Sequence, residues 1–345
     1  MELNQSTLPQ YLKVLADKGV VFEKTPSYLS MKGVVGDSAV DMATVANGGI
    51  PAAAAQVIDP MIIKQLFAPT VATQIYPEVK KGTWAVQDVL FPRTEEAYEI
   101  VAYDDRSRAG STHVNANWEQ RRQMRFQGMN EWGDLEQEKY GMALIPYVAM
   151  KQAAGVDAIN RFFNKSYMYG ISGAPNFGIM NDPALPAALT PITTADGKVK
   201  WADKDAVGIF NDVKKMFTNL AAKNQGLVQE TSPMKLVVSP SDNASLGAIN
   251  ALGTASAIDL IKKTYTSLTV VVVPEFGTPS GGLIQLIAES LGGTPVGNTV
   301  YTEKMRAFPV FVEHSMTSQK LAAGTLGTVI YRPSGVVQMT GLSNG

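Results

Sequence analysis

The feature that most constrains this fold is a long amphipathic segment that runs into glycines and prolines. Between Tyr147 and Tyr169 the apolar residues recur every three or four positions, while Arg161 and Lys165 fall off that stripe. The spacing predicts a single helix, and at about 1.5 Å per residue it would be roughly 35 Å long, enough to form the spine of a domain. Gly170 is placed to end the helix. Three prolines then prevent its return: Pro175, Pro183 and Pro186.

Composition excludes several classes of protein. The chain has 345 residues, of which 45% are apolar and 18% charged, as expected for a folded protein of about two domains. Its net charge of -1 gives no overall attraction to nucleic acid or to an anionic membrane. It has no cysteine, which excludes disulfides, thiolate nucleophiles and cysteine zinc sites. Neither a secretory signal nor a long apolar run is present, so we expect no membrane association and synthesis in a cytoplasm.

The remaining pattern predicts an α+β chain. A helix is expected over 59–68, followed by strand, turn at Lys81-Gly82, and strand. A second strong helix is expected over 205–223, capped by Asp203 or Asp205. From Met234 onward, short strands and short helices alternate, with 298–303 and 307–314 predicted as separate strands. The first 55 or so residues show no sustained period, so we interpret them as an extended arm or a flexible tail.

Residues 93–131 are polar, and their charge is sorted along the chain. An antiparallel excursion turning near Ser107–Ser111 would set an acidic arm beside a basic arm. Exposed pairs are individually weak, so we predict that this sorting serves strand register or contact with a neighbouring subunit; a solvated hairpin is the alternative. On the subunit interpretation, reversing Arg121 and Arg122 to glutamate should impair assembly and leave folding intact. The predicted contact residues are Glu95, Glu96, Glu99, Asp104, Asp105, Arg106, Arg108, Arg121, Arg122 and Arg125.

No set of residues forms a recognisable catalytic centre. The only histidines, His113 and His314, lie far apart and outside any nucleophile elbow or metal-binding spacing. The glycine-rich runs after Gly170 and Leu291 lack the context of a nucleotide-binding loop, so we interpret them as backbone turns. We therefore predict no enzyme activity, no cofactor and no metal. Two weaker alternatives are a cation site at the acidic pairs 95–96 and 104–105, and base stacking on Trp118 and Phe126 beside Arg121, Arg122 and Arg125.

The order of these parts resembles the major capsid proteins of tailed bacteriophages, which have the Hong Kong 97 capsid fold also found in encapsulins. The resemblance covers about residues 57–341 and lies in three places. Phe67-Ala68-Pro69 follows the first helix, and the closing residues 331–337 (YRPSGVV) are similar to a strand that returns to the peripheral domain. The glycine loop and Asn-x-Pro turn after the long helix are similar to segments 169–173 (YGISG) and 178–183 (GIMNDP).

The resemblance implies a domain plan. It consists of an N-terminal arm (1–56), a helix and strand joining the peripheral domain (57–81), an extended β-hairpin loop (82–131), a peripheral domain with the spine helix (132–232), an axial α+β domain (233–330) and a return strand (331–345). One departure from the family concerns the lysine–asparagine crosslink that some members form. Lysine is absent between Lys81 and Lys139, so the extended loop cannot supply it.

The function that the resemblance implies is a shell subunit. The chain would assemble with itself into hexamers and pentamers of an icosahedral phage head that encloses double-stranded DNA without reading its sequence. Expected partners are portal, scaffold or decoration proteins, and the expected location is the virion after synthesis in the host bacterial cytoplasm. An encapsulin-like compartment is the near alternative. A two-domain α/β hydrolase or ligand-binding protein is the more distant one.

Overall fold

The computed structural model describes residues 69–142, 145–250, 253–278 and 281–342. The predicted arm (1–56) and the predicted helix (59–68) lie outside these ranges. The described residues form two compact units, one of residues 130–154 and 310–319 and the other of residues 69–129, 155–309 and 320–342. No helix in the described part is long and apolar enough to cross a membrane.

The first half of the described chain contains four strands and three helices. They are α1 (Ala72–Ile75), β1 (Glu78–Lys80), β2 (Asp88–Tyr98), β3 (Thr112–Arg122), β4 (Met124–Gly133), α2 (Asp134–Met142) and α3 (Tyr147–Tyr169). The helix α3 is the predicted spine, with the predicted ends. Its apolar stripe supplies Ile159, Phe163 and Tyr167 to the main hydrophobic core, as the spacing requires.

The second half is the predicted alternation of short helices and strands, with two long strands near its end. It comprises α4 (Ala206–Lys223), β5 (Met234–Val238), α5 (Pro240–Ser245), α6 (Ala257–Thr264), β6 (Leu268–Val272), β7 (Gly277–Thr278), β8 (Gly281–Ala288), β9 (Ser290–Leu291), β10 (Thr294–Pro295), β11 (Gly297–Glu313), β12 (Met316–Ile330) and β13 (Val336–Thr340). Three helix starts are capped by side chains: Asp205 for α4, Ser239 for α5 and Ser256 for α6.

Two sheets organise these elements. The first has the order β1-β11-β12-β4. The second has the order β13-β8-β5-β6, with β7 beside β8, and both α6 and β13 contact α4. The last strand, β13, pairs antiparallel with β8, and Gln338 also accepts a hydrogen bond at its carbonyl from the Leu189 amide (2.7 Å). The closing residues therefore contact both the chain before α4 and the sheet that follows it.

Two predictions of local structure are wrong. Residues 72–75 form a short helix where a strand was predicted. The separate strands predicted over 298–303 and 307–314 are one strand, β11, which continues through Pro309. Proline lacks an N–H donor and is therefore placed at positions where the ladder needs none, so it does not have to end a strand.

Candidate assembly surface

The predicted extended loop contains a two-stranded hairpin, formed by β2 and β3, which pairs with no other strand of the described chain. Its register runs from Asp88 opposite Arg122 to Tyr98 opposite Thr112. The pairs therefore centre on residue 105, and a turn lies at 105–106, a few residues before the predicted position. The hairpin is a long ladder, and within the described chain neither of its two edges pairs with a third strand.

This register overturns the predicted pairing of an acidic arm with a basic arm. Glu95 lies opposite Asn115 and Glu96 opposite Val114, so the acidic segment of β2 faces uncharged positions of β3. The prediction rests on a turn at 107–111, which would place arginines of β3 opposite glutamates of β2. Because each one-residue shift of a turn moves every cross-strand pair by two residues, the observed turn at 105–106 separates them.

Apolar and aromatic side chains are exposed along the hairpin. Three near its end are almost fully solvated: Tyr98 is 73% exposed, Ile100 84% and Tyr103 91%. Val114 and Trp118 on the returning strand are also exposed. Large exposed apolar side chains that are this frequent on one segment are typical of a site of protein association. The hydroxyl of Tyr103 donates to the Asp105 carboxylate, which raises the pKa of that phenol above its usual value.

Arg121 lies inside the molecule instead of on the hairpin surface. Its guanidinium donates to Asp182 (Nη2 to Oδ2, 2.6 Å), and both side chains are fully buried. It also pairs with Glu119, which in turn pairs with Arg93, and it lies over the ring of Phe177 at 4.6 Å. We call residues 170–186 the junction. The network joins the base of the hairpin to this junction. Reversal of Arg121 would place a third carboxylate here, so the structure gives a reason to expect that this reversal impairs folding as well as assembly.

The other predicted arginines have different environments. Arg122 pairs with Asp88 at 3.1 Å on the surface, and this hydrogen bond lowers the pKa of the Asp88 carboxyl. Arg125 donates to the carbonyls of Trp84 (2.8 Å) and Val86 (2.9 Å). Arg106 and Arg108 lie in the exposed end of the hairpin with Glu99, Asp104 and Asp105. Among the described residues, none of these last five side chains forms an ion pair.

In the junction, the glycines and prolines after the spine helix form tight backbone turns. Gly170 ends α3 with a φ of +65°, the left-handed conformation that glycine adopts without a Cβ penalty. Ile171 and Asn176 form an isolated β-bridge, and the amide of Ile179 donates to Tyr167 O at 2.8 Å, so the chain folds back along the end of the helix. Asn181 completes the turn by donating to Tyr169 O and accepting from the Gly178 amide. The interpretation of this run as backbone turns agrees with these bonds.

Within the described ranges, no group of His, Asp and Glu side chains is arranged to hold a metal ion. His113 lies in the exposed strand β3, opposite Ala97, and His314 follows β11 at the turn to β12. A cavity of about 290 Å³ contains Glu78, Asn164 and Tyr167. The Glu78 carboxylate accepts the Tyr167 hydroxyl (3.0 Å) and pairs with Lys304 (2.5 Å), while Asn164 accepts two backbone amides. These side chains are therefore bonded to one another and to the backbone, and burial together with the nearby Glu78 carboxylate raises the pKa of Tyr167.

Comparisons with known proteins connect this architecture to a family. The family profile described as Pa193 gp26 major capsid protein matches residues 41–341, which is most of the chain. The chain belongs to this family of major capsid proteins. A comparison with curated protein sequences found no match.

Solved structures agree on the fold. The capsid of Myoviridae phage XM1 is similar with a TM-score of 0.71 at 12% identity, over 86% of this chain and 100% of that one. The capsid of a native GTA particle is similar with a TM-score of 0.59 at 11% identity, over 85% of this chain and 99% of that one. A structure from Mycobacterium phage Cain is similar with a TM-score of 0.53 at 12% identity, over 87% of this chain and 97% of that one. The predicted α+β, Hong Kong 97-type fold is confirmed. As a major capsid protein, the chain is a structural subunit of a virion shell.

Proposed function

We propose that this capsid protein assembles with copies of itself into the hexamers and pentamers of an icosahedral phage head that encloses double-stranded DNA. The observation that carries the proposal is the match to a major capsid protein family over residues 41–341. The exposed hairpin supports it, because a two-stranded ladder with solvated aromatic side chains is stabilised when a neighbouring subunit covers it.

The proposal extends to the domain plan and to partners. Residues 1–56 would form the arm, 82–131 the extended loop, 132–232 the peripheral domain and 233–330 the axial domain. Residues 331–345 would form the strand that returns to the peripheral domain. Portal, scaffold and decoration proteins would bind the assembled shell, and the chain would be made in the host bacterial cytoplasm. Packaged DNA would meet the shell without sequence recognition, in keeping with a net charge of -1.

Electron microscopy of the purified chain tests the proposal. We expect closed shells or capsomer-like rings. DNase-protected double-stranded DNA in particles from infected or induced cells would distinguish a phage head from a protein-cargo compartment. Absence of shells and rings under all buffer conditions would contradict the proposal.

A hairpin variant provides a matched test of the surface. Replacing Tyr98, Ile100 and Tyr103 with serine removes exposed apolar area and leaves the core untouched. The variant should fold normally by circular dichroism and fail to form shells. A control with Val207 and Leu227 replaced by serine, which are exposed elsewhere, should assemble as the unmodified chain does.

A further inference from the structure

Three cations and two aromatic rings lie together in the larger of the two compact units. The guanidinium groups of Arg125 and Arg306 both approach the Trp84 ring, at 5.6 and 5.9 Å from its centroid. Arg306 also lies 5.2 Å from the Phe308 centroid, and the Lys320 ammonium lies 5.5 Å from that same centroid. We name Arg125, Arg306 and Lys320 the cationic cluster.

The cationic cluster lies on the side of its sheet that is turned away from the spine helix. On β4, Phe126 packs against Phe162 and Phe163 of α3, with ring centroids 4.1 and 5.2 Å apart. Successive side chains of a strand point to opposite faces, so the preceding residue, Arg125, points away from α3. Arg125 and Arg306 are exposed and Lys320 is half-buried. A ligand in solution can therefore reach these cations on the described chain.

The cationic cluster is held in place, but the described chain supplies it with no anion. Arg125 is fixed by its bonds to the carbonyls of Trp84 (2.8 Å) and Val86 (2.9 Å). Among the residues that the structure describes, no carboxylate lies within ion-pair distance of any of the three cations. Convergent like charges repel one another, and cation–π contact offsets only part of that repulsion at a surface. A ligand that brings negative charge would remove the rest.

We propose that the cationic cluster binds phosphate groups. Arginine and lysine side chains beside aromatic rings are typical of surfaces that bind nucleic acid, because the cations attract phosphates and the rings contact the neighbouring groups. The phosphate can come from the packaged duplex or from a free polyphosphate. For the first source the inference rests on the proposed function, since a shell that encloses double-stranded DNA keeps phosphate beside every copy.

Carboxylates of a partner protein are the competing ligand, and the bonds of Arg125 disfavour them. Its Nε and Nη2 already donate to Trp84 O, Val86 O and Gln123 Oε1. Only Nη1 is available, so this guanidinium cannot offer the two-nitrogen fork that makes arginine–carboxylate pairs strong. Phosphates of a polyanion are attracted by charge alone and need no such fork.

Three cations per chain would give weak binding that does not depend on base sequence. Each phosphate contact releases about 0.9 counterions from duplex DNA, so the affinity should fall about 40-fold between about 50 and 200 mM salt. Repetition over many copies of a shell would add these weak contacts together. Such contacts would hold DNA near the shell and still allow it to leave.

Neutralisation of two cations tests the site. The cluster variant carries Arg306→Gln and Lys320→Gln and keeps Arg125 with its backbone bonds. The control variant carries Lys262→Gln and Lys263→Gln, two exposed lysines of α6, and has the same net charge. Anisotropy of a labelled 30-base-pair duplex with the full-length unassembled chain measures binding. The cluster variant should bind at least tenfold more weakly at about 50 mM salt and lose only about fourfold by 200 mM. The control variant should bind as the unmodified chain does.

Titration calorimetry with tripolyphosphate distinguishes the two sources of phosphate. Duplex binding that the cluster variant loses and the control keeps assigns the site to DNA. Tripolyphosphate binding with this pattern, in a chain that binds no duplex, assigns it to a free polyphosphate. Equal binding by the cluster variant and the unmodified chain for both probes would overturn the proposal, as would an equal loss in the control. Because both probes are added to the unassembled chain, a chain that binds phosphate but never forms shells would contradict the proposed function alone.

Chemical footprinting locates the ligand on the unmodified chain. Acetic anhydride acetylates accessible lysines, and mass spectrometry of the peptides measures the extent at each lysine. A saturating duplex or tripolyphosphate should reduce acetylation of Lys320 and leave that of Lys262 unchanged. Equal acetylation of Lys320 with and without both probes would show that phosphate binds elsewhere, and the proposal would be wrong.

Discussion

At the residue scale, Arg121 and Arg122 show how burial separates two neighbours of the same type. Arg121 forms a fully buried pair with Asp182, whereas the Arg122 side chain is 53% exposed beside Asp88. Removing one partner of a buried pair leaves an uncompensated charge in a medium that solvates it poorly. An exposed pair is already solvated, so its loss has little effect.

We therefore predict that Arg121→Leu lowers the free energy of unfolding by about 3–5 kcal/mol. Arg122→Leu, the matched control, should lower it by no more than about 1 kcal/mol. Urea unfolding of the unassembled chain measures both. Arg121→Leu combined with Asp182→Asn removes the uncompensated charge and keeps an acceptor for the Ala184 amide, so it should recover part of the loss. Equal effects of the two single substitutions would contradict the buried network.

Two aspartates at equivalent positions of two helices should have opposite effects on stability as pH changes. Asp242 and Asp259 each lie three residues after a capping serine and accept its hydroxyl. Burial raises the pKa of Asp242 above its ordinary value, and the Ser239 hydroxyl only partly opposes this. Hydrogen bonds from Ser256 lower the pKa of the exposed Asp259. For Asp242 the folded state holds its proton more tightly than the unfolded state, so stability falls as pH rises through its titration.

For Asp259 the sign is reversed. Its stabilising contribution is present above the ordinary aspartate pKa and is lost as pH falls through the lowered value. Relative to Asp242→Asn, the unmodified chain should therefore lose stability as pH rises above about 4, the ordinary aspartate value. Relative to Asp259→Asn, it should lose stability as pH falls below about 4. Urea unfolding of the unassembled chain from pH 3 to 7 measures both differences. Slopes of the same sign for the two pairs would show that the serine caps act alike.

At the element scale, the junction depends on backbone contacts that only glycine permits. A Cβ on Gly178 would overlap the carbonyl group of Met168 at the end of α3, and backbone there cannot move aside. Gly178→Ala should lower the free energy of unfolding by about 1–3 kcal/mol or more, as expected for overpacking. Gly128→Ala, where the added Cβ meets open space, should change it by less than about 0.5 kcal/mol. Urea unfolding of both variants measures the difference, and equal midpoints would mean that the junction adapts.

Elements with strong local signals could be predicted from the sequence, and elements fixed by distant contacts could not. The helices α3 and α4 were predicted with nearly their observed bounds because their stripes and the Asp205 cap are local features. The short helix α1 could not be, because it is held from a distance: the Asn164 side chain accepts the amides of Val71 and Ala72. A pattern of apolar residues cannot report such a contact.

The same distinction between local signals and distant contacts applies to the candidate surface. A hairpin in the polar region 93–131 was predictable from composition and charge, but its register was not, because register is set by the turn and by pairing at the base. The burial of Arg121 depends on Asp182, which is 61 residues away. Both Arg125 and Arg306 lie close to the Trp84 ring, although all three residues are far apart in the sequence. No local motif indicates this contact, so only the fold brings these residues together.

At the scale of the whole molecule, two covalent ways of joining copies are excluded. The chain has no cysteine, and its extended loop has no lysine between Lys81 and Lys139, so neither a disulfide nor a lysine crosslink from that loop can join subunits. The exposed apolar residues of the hairpin are among the groups that can hold neighbours together without a covalent bond. Charge contacts at a surface weaken as salt screens them, whereas apolar contacts persist.

Shells of this protein should accordingly dissolve into single chains in denaturing detergent, because nothing in the contact surface survives loss of folding. Purified particles boiled in detergent without reductant should migrate as one band at 37.0 kDa. Particles kept in the same buffer without detergent or heat are the control and should remain assembled. A ladder of covalent oligomers from the unmodified shell would show that a crosslink outside the extended loop joins the subunits.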